Sequence, residues 1–159
     1  MADQQLWLLR HGEAVPHGSK DDFDRELTPR GERQSLAAGQ ALARLGVEFA
    51  ACYSSPLVRA RGTAARACQA LGLDPVDHEE LGMDFDVDVA RELLAAHGDG
   101  EKVLVVGHNP TFEQVVADLT GARVDFKKGA VAAVRVAGTR GELLVLLRPR
   151  ELESLALSR

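Results

Sequence analysis

Short apolar runs alternate along this chain with segments whose apolar residues recur at helical spacing. An apolar run of about four to eight residues between turn residues is typical of a buried strand, and a repeat of about 3.6 residues is typical of an amphipathic helix. The apolar runs predict strands near residues 5–10, 49–54, 102–107, 130–137 and 142–147, and a weak short strand near Val76. The helical repeats predict helices over about residues 28–46, 55–72, 88–97 and 109–121.

The order of these elements predicts the fold class. Strands and helices alternate through most of the chain, which is typical of a mainly parallel sheet with helices on both faces. The last two runs flank the glycine-bounded turn 138–141 and predict a hairpin. We therefore expect one three-layer α/β/α domain over residues 1–159, with an antiparallel C-terminal hairpin strand in its sheet. The polar loop 14–27 is long for a connection between a strand and a helix, and is either functional or a solvated excursion.

Arginine and histidine residues follow three of the predicted parallel strands. Arg10 and His11 end the first strand, Arg59 comes shortly after the second, and His108 follows the strand at 102–107. Because the carboxyl ends of parallel strands meet at one edge of a sheet, we expect these side chains to converge. The planar arginine fork matches phosphate, and a neutral histidine is a competent nucleophile near pH 7. Gly12 leaves room for a tight turn and for close approach of the phosphate. The pattern predicts a site for a small dianion, with His11 as the candidate nucleophile.

The overall charge narrows the classes of partner. A net charge of −5 over 159 residues gives no support for nucleic-acid binding, and it suits a small anion held in a local basic pocket. No apolar stretch approaches the roughly 20 residues of a membrane span, and no signal-peptide pattern is present, so we expect a cytoplasmic protein with no membrane partner. Cys52 and Cys68 are expected to be buried free thiols without a zinc signal. The pair Lys127-Lys128 is either a solvated turn or a contact for an acidic partner.

Four motifs along the chain resemble the histidine phosphatase superfamily, which includes the phosphoglycerate mutases. They are Leu9-Arg10-His11-Gly12-Glu13-Ala14, Leu27-Thr28-Pro29-Arg30-Gly31, the segment from Ser54 to Ala64, and Val106-Gly107-His108-Asn109. The motifs stand in the order that the family shows. The short chain and compact middle further resemble the small SixA-type branch of phosphohistidine phosphatases.

This resemblance implies a role for each residue at the predicted strand ends. His11 would be phosphorylated during turnover, and Arg10, Arg59 and His108 would bind the phosphoryl group and stabilise its transfer. The resemblance also implies a phosphoglycerate mutase-like fold, and no metal or cofactor. Of the two neighbouring arginines, the motif selects Arg59 and leaves Arg61 as a surface residue.

The acidic segment 79–88 bears on the leaving group. Mutases and many phosphomonoesterases of the superfamily carry a glutamate general acid in a motif that this segment lacks. Glu80 could fill the acid position, and so could Glu79, Asp84 or Asp86; the alternative is a solvated acidic loop. An alkoxide is a strong base and needs a proton as it leaves, whereas an imidazole can leave with much less help. A missing general acid therefore favours phosphohistidine as the substrate.

Three hypotheses follow for the function of the chain. The first is a phosphatase that removes phosphate from phosphohistidine on a protein domain, as in signalling or a phosphorelay. The second is a small-molecule phosphomonoesterase on the same scaffold, with a small phosphorylated substrate. The third, an inactive phosphate-binding module, is disfavoured because His11 and both arginines are present. A protein-borne phosphohistidine enters as an exposed side chain, so the first hypothesis predicts an open, shallow pocket.

Overall fold

The computed structural model describes residues 3–158, and its strands form one six-stranded sheet. The strands are β1 (Asp3–Arg10), β2 (Ala51–Ser54), β3 (Val76–Asp77), β4 (Lys102–Gly107), β5 (Val131–Ala137) and β6 (Arg140–Leu147). The helices are α1 (Pro29–Arg44), α2 (Val58–Leu71), α3 (Val87–Ala95), α4 (Thr111–Thr120) and α5 (Pro149–Leu157). Two 3-10 turns lie at Asp22–Asp24 and Glu79–Leu81.

The sheet is mainly parallel. Its strand order is β3-β2-β4-β1-β5-β6, and β1, β2, β3 and β4 pair in parallel. Only β5 runs against its two neighbours, β1 and β6. The predicted α/β fold with an antiparallel hairpin strand is therefore confirmed.

Two apolar cores cover the two faces of the sheet. Successive strand residues point to opposite faces, so Leu6 and Leu8 join the core beneath α3 and α4, while Trp7 and Leu9 join the core beneath α1, α2 and α5. Both cysteines are free and buried in the second core, as predicted. Between these layers the ends of β1 and β4 lie side by side at one edge of the sheet.

The observed helices depart from the prediction mainly at α2 and α5. α2 begins at Val58 rather than at Ser55, because the chain through Leu57 is still extended. α5 has no counterpart in the sequence-based prediction, since its nine residues give too few apolar positions to establish a helical repeat. At α1 the expected N-cap is confirmed: the Thr28 hydroxyl accepts a hydrogen bond from the Gly31 N–H at 3.1 Å. Within residues 3–158, no helix combines the length and apolarity needed to cross a membrane.

Candidate active site

The ends of three parallel strands bring the predicted residues together. Arg10 at the end of β1 is in register with Gly107 at the end of β4, and the His11 N–H donates to the Gly107 carbonyl at 3.0 Å. The next residue along the chain is His108, whose ring centroid lies 5.2 Å from that of His11. β2 lies on the other side of β4, and the short loop after it leads to Arg59 in the first turn of α2. All four predicted side chains line one recess of about 320 Å³.

His11 is held in one tautomer. Its Nδ1 lies 2.7 Å from the Gly12 carbonyl oxygen, which can only accept, so Nδ1 carries the ring proton. The lone pair of the neutral ring is then on Nε2. Burial lowers the pKa of His11 to about 3, and the nearby positive charges of Arg59 and Arg10 act in the same direction. The ring is therefore neutral near pH 7, as a nucleophile requires.

His108 is oriented by a buried serine. Its Nε2 lies 2.7 Å from the Ser55 hydroxyl oxygen, which accepts a hydrogen bond from the Leu57 N–H at 3.2 Å. The hydroxyl proton of Ser55 has no other acceptor among the described residues, so we assign it to His108 Nε2, which leaves the ring proton on Nδ1. Burial and the charge of Arg59 lower the pKa of His108 to about 4. The expected helix cap at Ser55 is instead a support for His108.

Three buried nitrogen atoms of the recess have no hydrogen-bond partner within residues 3–158. They are Arg10 Nε, Arg59 Nε and His108 Nδ1. Other atoms of the two guanidinium groups are anchored: Arg10 Nη1 donates to the Phe126 carbonyl at 2.7 Å, and Arg59 Nη1 donates to the Asp22 carbonyl at 2.8 Å. Unpaired buried donors are costly, and a bound oxyanion would satisfy them. The recess is thus pre-organised for a group with several acceptor oxygens.

The loop 14–27 contributes two charged residues that the sequence did not identify. The Asp22 carboxylate accepts hydrogen bonds from Arg25 Nε at 3.0 Å and from Arg59 Nη2 at 3.4 Å. Arg25 is almost buried and donates to the Val15 carbonyl at 2.8 Å. Partial burial raises the pKa of Asp22, but the hydrogen bond from Arg25 and the charges of Arg59 and Arg25 outweigh it and bring the pKa below its usual value. Asp22 is therefore ionised near neutral pH.

The same loop contributes a third residue to the recess. His17 lines it, together with Met83, Asn109 and Lys128. The length of the loop was the available signal for these residues, and their place in the lining of the recess favours the functional alternative for this loop. His11 and His108 are only 5% and 2% exposed, so each ring presents little more than an edge to the recess.

Gly12 lies where the backbone packs too closely for a side chain. A Cβ atom at Gly12 would lie 2.6 Å from the Gly31 carbonyl oxygen, and one at Gly31 would lie 2.0 Å from the Glu13 carbonyl oxygen. The two glycines therefore let the chain after β1 pack directly against the start of α1.

The candidate general acids of segment 79–88 do not line the recess. Glu79 and Glu80 are exposed residues of the 3-10 turn, and Asp84 is also exposed. Asp86 caps α3, where its carboxylate accepts from the Val89 N–H at 2.9 Å. From this segment the recess is lined by Met83 and by no carboxylate of the described chain. The only acid among its lining residues is Asp22.

Comparison with known proteins identifies the family. Residues 6–85 match the model of the histidine phosphatase superfamily (branch 1). The chain therefore belongs to this superfamily, as its motifs predicted. An uncharacterised protein of Picosynechococcus sp. is 30% identical over 92% of this chain and 97% of its own length.

The chain is also similar to SixA proteins over most of its length. A phosphohistidine phosphatase SixA homolog of Haemophilus influenzae is 28% identical, over 88% of this chain and 93% of its own. The solved structure of the protein histidine phosphatase SixA complexed with tungstate superimposes with a TM-score of 0.83 at 28% identity, covering 93% of this chain and 99% of that one. The fold is thus that of SixA and the phosphoglycerate mutases, and the family is one of phosphatases.

Proposed function

We propose that this protein removes the phosphoryl group from phosphohistidine on another protein, through a phosphorylated His11. The observation that carries the proposal is the set of three unpartnered buried nitrogens, Arg10 Nε, Arg59 Nε and His108 Nδ1, in the recess that holds the His11 ring. A transferring phosphoryl group has three equatorial oxygens, and catalysis of its transfer consists mainly of positioning and charge stabilisation. Tungstate, which accompanies the similar SixA structure, is likewise a tetrahedral oxyanion.

The first step transfers the phosphoryl group to His11. The Nε2 lone pair forms the new N–P bond while the N–P bond of the substrate breaks, and that electron pair stays on the leaving nitrogen. If the other ring nitrogen of the substrate carries a proton, the leaving group is neutral imidazole. The proton on His11 Nδ1, held by the Gly12 carbonyl at 2.7 Å, keeps the phosphorylated ring cationic and therefore easy to cleave.

The second step hydrolyses the intermediate. Water forms an O–P bond, the His11 N–P bond breaks, and its electron pair returns to Nε2. The proton that the water loses passes to solvent. Arg10, Arg59 and His108 donate to the phosphoryl oxygens in both steps, and no metal takes part.

The acid–base properties of the recess favour an imidazole leaving group. An alkyl phosphate needs a proton donor beside the leaving oxygen. Glu80 and its acidic neighbours are not among the lining residues, and Asp22 is ionised and hydrogen-bonded to two arginines. A leaving group that needs no acid suits such a recess.

The test compares initial rates on a phosphohistidine-bearing protein domain and on an alkyl phosphate. We expect a large preference for phosphohistidine, and its loss in His11→Ala. In Arg59→Ala the rate on phosphohistidine should fall by a factor of about 100 or more, because the variant lacks a donor to the transition state. Arg61→Ala is the matched control, since Arg61 lies two residues further along α2 and is exposed. Equal or faster turnover of the alkyl phosphate would assign the chain to the phosphomonoesterases and reopen Glu80 as the acid.

A further inference from the structure

A larger cavity of about 580 Å³ adjoins the phosphoryl recess. The two share Arg10, Asn109 and Lys128 as lining residues, so a ligand in the larger cavity would lie next to a group held in the recess. None of the catalytic steps described above uses this space. Its outer wall carries cations from three separate segments of the chain, which we name the basic groove: Arg30, Lys127, Lys128, Arg148 and Arg150.

Three carboxylates line the cavity, Glu13, Glu113 and Asp125, and the first two are engaged in the fold. Glu13 accepts from the Thr28 hydroxyl at 2.8 Å. Glu113 accepts from Asn109 Nδ2 at 2.8 Å and from the Phe126 N–H at 3.1 Å. These contacts hold the loops that form the cavity wall, so the two acids are structural parts of it.

The cations of the basic groove outnumber the acids that pair with them. Lys127 pairs with Asp125 at 3.0 Å, whereas Arg148 and Arg150 share one carboxylate, Glu151, at 2.9 and 3.6 Å. Arg30 and Lys128 form no ion pair within the described part of the chain. A local positive excess therefore borders the active site of a chain whose net charge is −5. Such a local field attracts an acidic partner and orients its approach.

The exposure of these cations favours a protein surface over a small acid as the ligand. The side chains of Lys127, Arg148 and Arg150 are 59%, 52% and 79% exposed. A small-ligand site uses a few buried, converging polar groups, which is the pattern of the recess and not of the groove. Exposed cations spread along a rim are typical of electrostatic complementarity between proteins.

We propose that the basic groove docks an acidic segment that flanks the phosphohistidine of the partner protein. This inference rests on the proposed function for the identity of the partner. The sequence left two alternatives for Lys127-Lys128, a solvated turn or a contact for an acidic partner. The proposal assigns the pair to the contact.

The variant that tests the groove is Arg30→Glu/Arg150→Glu. Both residues lie in the first turn of a helix, α1 and α5, where a carboxylate is favourable, so we expect the fold to be retained. Arg61→Glu/Arg140→Glu is the matched control, because it makes the same change in net charge at exposed positions outside the groove. Neither variant alters a residue of the recess.

The assay measures kcat and KM on two substrates, a phosphohistidine-bearing domain with acidic residues beside the phosphohistidine, and the free amino acid phosphohistidine. We expect the groove variant to lose about tenfold in kcat/KM on the domain, mostly through KM, and to act on free phosphohistidine within about twofold of the unmodified protein. Added salt should reduce the difference on the domain. The control variant should match the unmodified protein on both substrates.

The outcomes separate the groove from the proposed function. Equal losses on both substrates, or no loss on the domain, would overturn the groove as a docking surface while phosphohistidine turnover stands. A second form of the domain has its flanking acidic residues replaced by amides. With the unmodified protein, kcat/KM on this domain should be lower by the same factor. An unchanged KM for this domain would also contradict docking. Failure of the unmodified protein to act on either phosphohistidine substrate, with turnover of phosphate esters, would overturn the proposed function and the docking role together.

Discussion

Replacing Ser55 by alanine tests whether this serine positions His108, because the change leaves every residue assigned to the phosphoryl group in place. Ser55 is fully buried, and its hydroxyl makes two contacts: it lies 2.7 Å from His108 Nε2 and accepts from the Leu57 N–H at 3.2 Å. Alanine removes both contacts and no charge. The donor assigned to the phosphoryl group, His108 Nδ1–H, then loses the partner that fixes its tautomer.

The size of the effect follows from these two contacts. A buried group left without its partner costs about 1–3 kcal/mol, and the substitution leaves two such groups, partly compensated by relaxation. We expect a loss of about 2 kcal/mol in the free energy of unfolding, which for a chain of this length lowers Tm by roughly 4–8 °C. Removing a direct oxyanion donor costs a factor of about 100 or more. Loosening such a donor through its support should cost about 10- to 100-fold in kcat/KM, as for other supporting contacts.

Two readouts distinguish positioning from simple destabilisation. Nitrogen NMR of His108 reports which ring nitrogen carries the proton, and we expect Nδ1 in the unmodified protein and a mixture in Ser55→Ala. Ser54→Ala is the matched control, because the Ser54 hydroxyl is equally buried but donates to the Ser55 carbonyl at 2.9 Å and not to His108. An unchanged tautomer and a rate within twofold of the unmodified protein would refute the reasoning.

Three further perturbations have defined outcomes. Asp22→Asn removes a negative charge beside Arg59 but keeps the main-chain contact at 2.8 Å. Inorganic phosphate should inhibit this variant about fivefold more strongly than the unmodified protein. An unchanged inhibition constant would contradict the assignment of Arg59 as a phosphate ligand. The pKa of His11, about 3 in the folded chain, lies below the ordinary value of 6.5, so the unfolded chain binds more protons and the free energy of unfolding should fall as the pH drops from about 6.5 towards 3. His11→Asn should flatten that slope in urea titrations, and an equally steep slope would exclude His11 as its source. Gly31→Ala places a Cβ atom 2.0 Å from the Glu13 carbonyl oxygen; we expect a loss of more than about 2 kcal/mol in thermal unfolding, whereas an unchanged Tm would show that α1 can shift freely.

The strand-end residues were predictable because topology alone places them. Once β1 and β4 are identified as parallel strands, the residues after them share one edge of the sheet, and the structure places Arg10, His11 and His108 there. Arg59 was predictable in the same way, because it follows β2, the parallel neighbour of β4. Local motifs also predicted the N-cap at Thr28, because the capping contact is with Gly31, only three residues further along the chain.

The loop residues were not predictable from the sequence, because their positions depend on contacts that have no periodic pattern. Asp22 reaches Arg59 across 37 residues, and Arg25 is held by the carbonyl of Val15. Glu80 was a reasonable candidate by residue type, but its side chain is exposed and does not line the recess. Ser55 was interpreted as a helix cap because the spacing fits a cap, whereas its partner His108 lies 53 residues further along the chain.

The measurement that tests the central claim most directly is the identification of the phosphorylated residue during turnover. The protein would be mixed with a phosphohistidine-bearing domain that carries labelled phosphate, quenched with base within milliseconds, and digested for peptide mapping. We predict acid-labile label on the peptide that contains His11, with rapid loss of the label when unlabelled substrate is added, and no label in His11→Ala. Turnover without labelled protein, or label on any other residue, would contradict covalent transfer through His11.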